Sequence, residues 1–96
     1  MFEWDTRKAA LNHAKHGVSF EEAGTLFGDP DALDGPDVRH SEEESRFLRL
    51  GRAATGSMLI VAYAVRRRED GESIRIISAR RASRKERAAY AAAARD

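Results

Sequence analysis

Apolar and polar positions change their period several times along this chain, and each change predicts an element. The opening FEWD is a short apolar stretch with strand character, and Asp5 is placed as an N-cap whose carboxylate accepts the free N–H groups of the next turn. A first helix is expected over TRKAALNHAKH, residues 6–16, ending at Gly17, which can take the left-handed conformation that closes helices. Ser19 and Glu22 have capping-box spacing and open a second helix that carries Phe20, Ala23, Leu26 and Phe27 at helical spacing. Gly28 and the DPD after it stop that helix.

Residues 29–45 hold both prolines and many acids, and read as a loop with at most a short edge strand around Ala32 and Leu33. Three segments of strand character follow. In RFLRLGRA, Phe47 and Arg49 fall on one face and Leu48 and Leu50 on the other; MLIVAYAV is apolar on both faces, as a central strand is; SIRIISAR is the third. The linkers ATGS and EDGE have hairpin length, with Asp70 and Gly71 a tight-turn signal, so an antiparallel meander is expected. Ser83 and Glu86 repeat the capping-box spacing and start a C-terminal helix whose tail AAYAAAAR is almost pure helix former. The expected fold is α+β, in the order strand, helix, helix, three strands, helix, forming one domain over residues 1–96 without internal repeats.

A chain of 96 residues buries something over ~60% of the surface its unfolded form exposes, enough for a thin core. The absence of cysteine leaves out disulfides and thiolate metal sites and suits a reducing cytoplasm. No run approaches the ~18 apolar residues of a membrane span, and MFEWDTRK lacks the layout of a signal peptide, so an intracellular, cytoplasmic, soluble protein is expected.

The net charge of +1 conceals a division. Residues 1–48 hold five Lys/Arg against eleven Asp/Glu, a net of −6, whereas residues 49–96 hold twelve against five, a net of +7. That asymmetry points to a polyanion for the basic half, or else to two halves that neutralise each other across the fold. The density peaks in RIISARRASRKER, residues 75–87, where six of thirteen residues are basic. Strict alternation would put Ile74, Ile76, Ser78 and Arg80 on one face and Arg75, Ile77 and Ala79 on the other. Arg75 and Arg80 are then candidate phosphate ligands on an open sheet face, because a planar guanidinium holds two phosphate oxygens at once. The structural alternative pairs them with acids such as Asp5, Glu43 or Glu44. Arg81, Arg84, Lys85 and Arg87 crowd the positive end of a helix dipole, unfavourable by about a few tenths of a kcal/mol each, which suggests an external polyanion or acidic protein as compensation; the alternative, expected for Arg87, is a solvated helix face that Glu86 partly offsets.

Lys15 and His16 close the first helix, where capping electrostatics alone favour cations. Histidine is also the residue type suited to giving and taking protons near neutral pH, which makes His16 a candidate general acid or base. His13 and His40 are expected on the surface; three histidines without shared spacing and no cysteine make no metal site, and no cofactor is expected. Ser83 is accounted for as a cap, and neither it nor Ser78 has the company of a nucleophile.

With FEWD at the start, KHGVSFEEA at 15–23, RFLRLGR at 46–52 and RIISARRASRKERAAY at 75–90, in that order, nearly the whole chain resembles the BrnT toxins of bacterial type II toxin–antitoxin systems. The resemblance implies a RelE-like ribonuclease fold and an activity that cuts RNA and arrests translation and growth. It also implies neutralisation by a BrnA-type antitoxin with a ribbon-helix-helix domain, the complex repressing its own operon by contacting operator DNA through the antitoxin. Tyr63 stands where histidine is common in the family, which argues against an essential acid–base role there; Arg81 and Ser83 stand where Lys and Thr are frequent.

RNA cleavage without a metal needs a base for the 2′-OH, cations for the charged phosphorane, and an acid for the departing 5′-oxygen. Arg80 and Arg75 suit the charge-holding role, with His16, Lys15 or Tyr90 handling protons, and Arg52, Arg81, Arg84 and Lys85 are candidate RNA contacts. Two other classes stay open on the sequence: a nucleic-acid-binding module that does not cut, and an interaction protein whose basic face meets an acidic partner.

Overall fold

Caps and strand alternation act locally, and the elements they predict are present. The computed structural model describes residues 1–40 and 44–94. It runs β1 (Phe2–Glu3), α1 (Thr6–His16), α2 (Phe20–Thr25) with a 3-10 turn at Leu26–Gly28, and β2 (Leu33–Pro36) with a 3-10 turn at Val38–His40. β3 (Phe47–Arg52), β4 (Met58–Arg68), β5 (Gly71–Arg81) and α3 (Arg84–Ala94) follow. Asp5 Oδ1 accepts from the Arg7 and Lys8 N–H groups at 2.8 and 3.2 Å, and Gly17, at φ 70°, donates its N–H to His13 O at 2.8 Å. Both capping boxes form on their serine side, with Glu22 N donating to Ser19 Oγ at 3.0 Å and Glu86 N to Ser83 Oγ at 3.2 Å. Among the described residues no helix is long and apolar enough to cross a membrane.

The expected meander, β3–β4–β5, forms the centre of a five-stranded sheet of order β1-β5-β4-β3-β2. Two additions lie at its edges: β2 extends the suspected edge strand and pairs antiparallel with β3, and β1 pairs parallel with β5 through Phe2 opposite Ile74 and Glu3 opposite Arg75. Val18, Phe20, Ala23 and Leu26 pack on Leu59, Val61, Ile76 and Ala79, so α2 and its approach cover one sheet face. The approach is close at Gly51, where an added Cβ would overlap Leu26 Cδ1 and come within 3.0 Å of Ala32 Cβ.

Strict alternation along β5 fails, and the failure matters for the site. Ala62 pairs with Ser78 but Tyr63 pairs with Ile76, leaving Ile77 as an unpaired bulge residue. The extra residue inverts the pleat. Ile76 and Ala79 therefore share the core face, while Ser78 and Arg80, expected beside Ile74 and Ile76, join Ala62 and Ile60 on the other face.

β1 covers β5 only at Ile74 and Arg75, and farther along Asn12 of α1 takes over the edge. Its Nδ2 donates to Ala79 O at 2.8 Å and to Val18 O at 3.1 Å, and its Oδ1 accepts from Ala79 N at 3.1 Å. A buried side-chain amide thus imitates one residue of a neighbouring strand and anchors the end of α1 beside β5.

Candidate active site

The anchored α1 delivers Lys15 and His16 to the sheet face that carries Arg80. These three line an open groove of about 520 Å³ with Ser78, and Leu48, Ile60 and Ala62 form an apolar floor. Asp37, Arg39 and Arg46, from the segment leading into β3, also border it. Glu86, on the first turn of α3, closes the opposite wall.

Arg80 is held rather than free. Its Nη1 and Nη2 donate to Glu86 Oε1 and Oε2 at 2.8 and 2.9 Å, and Nη1 donates again to Arg81 O at 3.2 Å. Glu86 Oε1 also accepts from Ser83 N at 2.8 Å, completing the capping box. The hydrogen bond from Arg80 holds the Glu86 carboxyl down at about 2, and the same bond raises Arg80 further. A guanidinium has five N–H donors; among the described residues three are used here, which leaves two, on Nε and Nη2, for another ligand.

Arg75 does not line this groove. It sits 3.9 Å from Glu3 Oε1, and Glu3 is already bound to Arg68 and Ser73 at 2.8 Å each. The observed acid partners of Arg75 and Arg80 are thus Glu3 and Glu86. Of the partners expected from sequence, Asp5 caps α1, Glu44 lies 3.5 Å from Arg66, and Glu43 is outside the described residues. Arg84 and Lys85 are exposed on the first turn of α3, without an ion-pair partner among the described residues.

Tyr90, Arg52 and Arg81 gather elsewhere. They line a second groove of about 600 Å³ with Met58, Arg87 and Ala91, on the other flank of α3 from Glu86. Tyr90 is buried and its hydroxyl donates to Asp29 Oδ2 at 2.7 Å, which raises its pKa. Asp29 also accepts the Arg52 N–H at 2.8 Å and the Asp31 N–H at 2.9 Å. Burial pushes the Asp29 carboxyl up, but these three donors outweigh it and hold it below its ordinary value.

With this geometry in hand, comparison with known proteins is decisive at one point: the family model described as ribonuclease toxin, BrnT, of type II toxin–antitoxin systems matches residues 4–86. The chain belongs to the BrnT toxin family. No curated protein matches it. The crystal structure of the Brucella abortus ribonuclease toxin BrnT, at 1.1 Å resolution, superposes with a TM-score of 0.63 at 24% identity, covering 88% of this chain and 99% of that one. At that identity the likeness speaks for the fold, and the expected α+β architecture is the one both share.

In this BrnT-family toxin Tyr63 has a structural setting. Its hydroxyl donates to Asp34 at 2.7 Å, its ring meets Phe27 edge-on at 5.0 Å, and the Arg49 guanidinium lies 4.4 Å above the Phe27 ring. Burial, then the bond to Asp34, pushes its pKa up to about 12. The Arg80–Glu86 pair, the Asn12 bracket and the Asp29 hub were not anticipated from sequence. Glu86 alone carried a signal, as the capping residue of α3, and nothing local marked the other two.

Proposed function

We propose that this toxin is an endoribonuclease that cleaves RNA without a metal, in the groove between the end of α1 and Arg80. The observation that supports this most is the convergence of Lys15, His16 and Arg80 on one open, apolar-floored groove. In this reading a phosphate takes the two unused donors of Arg80, through the Nε and Nη2 edge, while Lys15 adds positive charge. His16 takes the proton of the 2′-OH as it attacks the phosphorus. The P–O5′ bond breaks, the leaving oxygen takes a proton from the Lys15 ammonium, and a 2′,3′-cyclic phosphate remains. Arg84 and Lys85 extend the cationic surface to RNA flanking the cut. Arg75 and Tyr90 carry no step, since neither lines this groove and the Tyr90 hydroxyl is bound to Asp29.

The family places the toxin beside an antitoxin. We infer a BrnA-type partner with a ribbon-helix-helix domain, acting in the cytoplasm and binding operator DNA on behalf of the complex. The test is incubation of purified toxin with RNA in EDTA. Cyclic-phosphate products are expected, and Arg80→Ala should cut about 100- to 1,000-fold more slowly, as when one charge-stabilising donor is removed, at a temperature where the variant is folded. Intact RNA retained in a salt-sensitive way would support a binder that does not cut. An Arg80→Ala variant as active as the parent would sink the assignment.

A further inference from the structure

The second groove gathers three arginines that have no carboxylate ion-pair partner among the described residues. Arg49, Arg66, Arg67, Arg68, Arg75 and Arg80 each lie within 3.9 Å of a carboxylate. The guanidinium groups of Arg52, Arg81 and Arg87 instead donate to neutral oxygens: Gly56 O at 3.1 Å, Ser57 Oγ at 3.3 Å and Ala82 O at 3.2 Å. Asp29 is near, but its oxygens are already engaged by Tyr90 and by the Arg52 and Asp31 N–H groups. Three cations with spare donors thus rim a groove whose floor is made by Met58 and Ala91.

We propose that this groove is the docking site for an acidic segment of the antitoxin, with carboxylates on Arg52, Arg81 and Arg87 and an apolar side chain against Met58 and Ala91. The inference rests on the reading of this chain as a toxin with a protein partner. Two observations favour a peptide over RNA. Single-stranded RNA is seated by exposed aromatic faces on which bases stack, and the one aromatic ring here, Tyr90, is buried with its hydroxyl tethered to Asp29. The floor is alkyl, suited to an apolar anchor inside a charged rim. The groove is also separate from the one that holds Arg80: Glu86 faces that one and its neighbour Arg87 faces this one, so α3 stands between them. A partner seated here grips α3 at the rim of the cleavage groove without occupying it.

The experiment titrates the purified antitoxin encoded beside the toxin against the wild-type chain and against Arg87→Glu and Ala91→Trp, at low and high salt. Both variants change exposed positions, and thermal unfolding checks that they fold. Reversing Arg87 should weaken the complex by about 30-fold or more and flatten its salt dependence, as loss of an interfacial charge contact does. Ala91→Trp should weaken it by about tenfold with the salt dependence intact, because it fills the floor without altering charge. RNA cleavage by both free variants should stay at the wild-type rate. Unchanged antitoxin affinity in both variants overturns the proposal, as does lost RNA cleavage with antitoxin binding retained, which would make the groove an RNA path. If the wild-type toxin does not cut RNA while both variants still lose the antitoxin, the ribonuclease reading fails and the docking site stands.

Discussion

Arg80 and Glu86 show how one side chain can serve two structures at once. Glu86 completes the capping box of α3 and orients the guanidinium that faces the groove, so helix start and candidate phosphate ligand share a carboxylate. Glu86→Gln keeps an acceptor for the Ser83 N–H but removes the charge. RNA should then bind about threefold tighter, since a repelling anion is gone, and be cut about tenfold more slowly, since Arg80 is no longer held in place. Measuring KM and kcat separately checks this, and an unchanged kcat would exclude a positioning role for Glu86. Tyr63, in turn, keeps its proton throughout the neutral range with its pKa pushed up to about 12, in keeping with a place in packing rather than in proton transfer.

At the scale of elements, α1 has two tasks that its sequence states unequally. Its caps and its basic last turn are local and legible, whereas its seat against β5 depends on Asn12 alone among its buried residues. Asn12→Ala would strand the N–H and C=O of Ala79 and the carbonyl of Val18 in a buried place, a cost of about 3 kcal/mol. For a domain of this size that lowers the unfolding temperature by ~10–20 °C. Asn12→Asp should fare no better, because a carboxylate cannot donate to the two carbonyls. Calorimetry of the two variants decides the matter, and a loss below about 1 kcal/mol would show that water replaces the amide. Because α1 carries Lys15 and His16, the cleavage rate should fall in both variants even at temperatures where they remain folded.

The whole molecule resolves its divided charge by partial neutralisation. Acids of the first half meet bases of the second at Asp34–Arg49, Glu44–Arg66, Glu3–Arg68 and Glu3–Arg75. The neutralising reading of the charge split is therefore realised in part: half-to-half pairing consumes part of the basic charge, and among the described residues the remainder concentrates on the two flanks of α3. The acid side of the balance also sets a pH limit. Glu3, Asp5, Asp29 and Glu86 all titrate below their ordinary values, so each contributes stability that is present above its unfolded pKa and lost as pH falls through its folded one. The unfolding temperature should be level at mild pH, begin to fall near the ordinary values of 4.5 and 3.8, and continue falling toward about 2, where Glu86 protonates. A scan of unfolding temperature against pH tests this; a curve flat down to pH ~3 would contradict it.

By itself, the sequence determined what depends on near neighbours: the Asp5, Ser19 and Ser83 caps, the end of α1 at Gly17, the turn at Asp70 and Gly71, the meander, and the motifs that mark the family. The caps and the helix end span two to four residues, and the strands of the meander are joined by short turns, so their chemistry can be read in short windows. Tertiary structure decided the rest. Whether Arg80 faces the core or the groove turned on the bulge at Ile77, which depends on how β5 registers with β4 and leaves no mark in alternation. The Asn12 bracket joins residues 67 apart, and the bond from Tyr90 to Asp29 joins residues 61 apart. Across such distances a residue's type says what it can bond with, and only the folded chain says which partner is within reach.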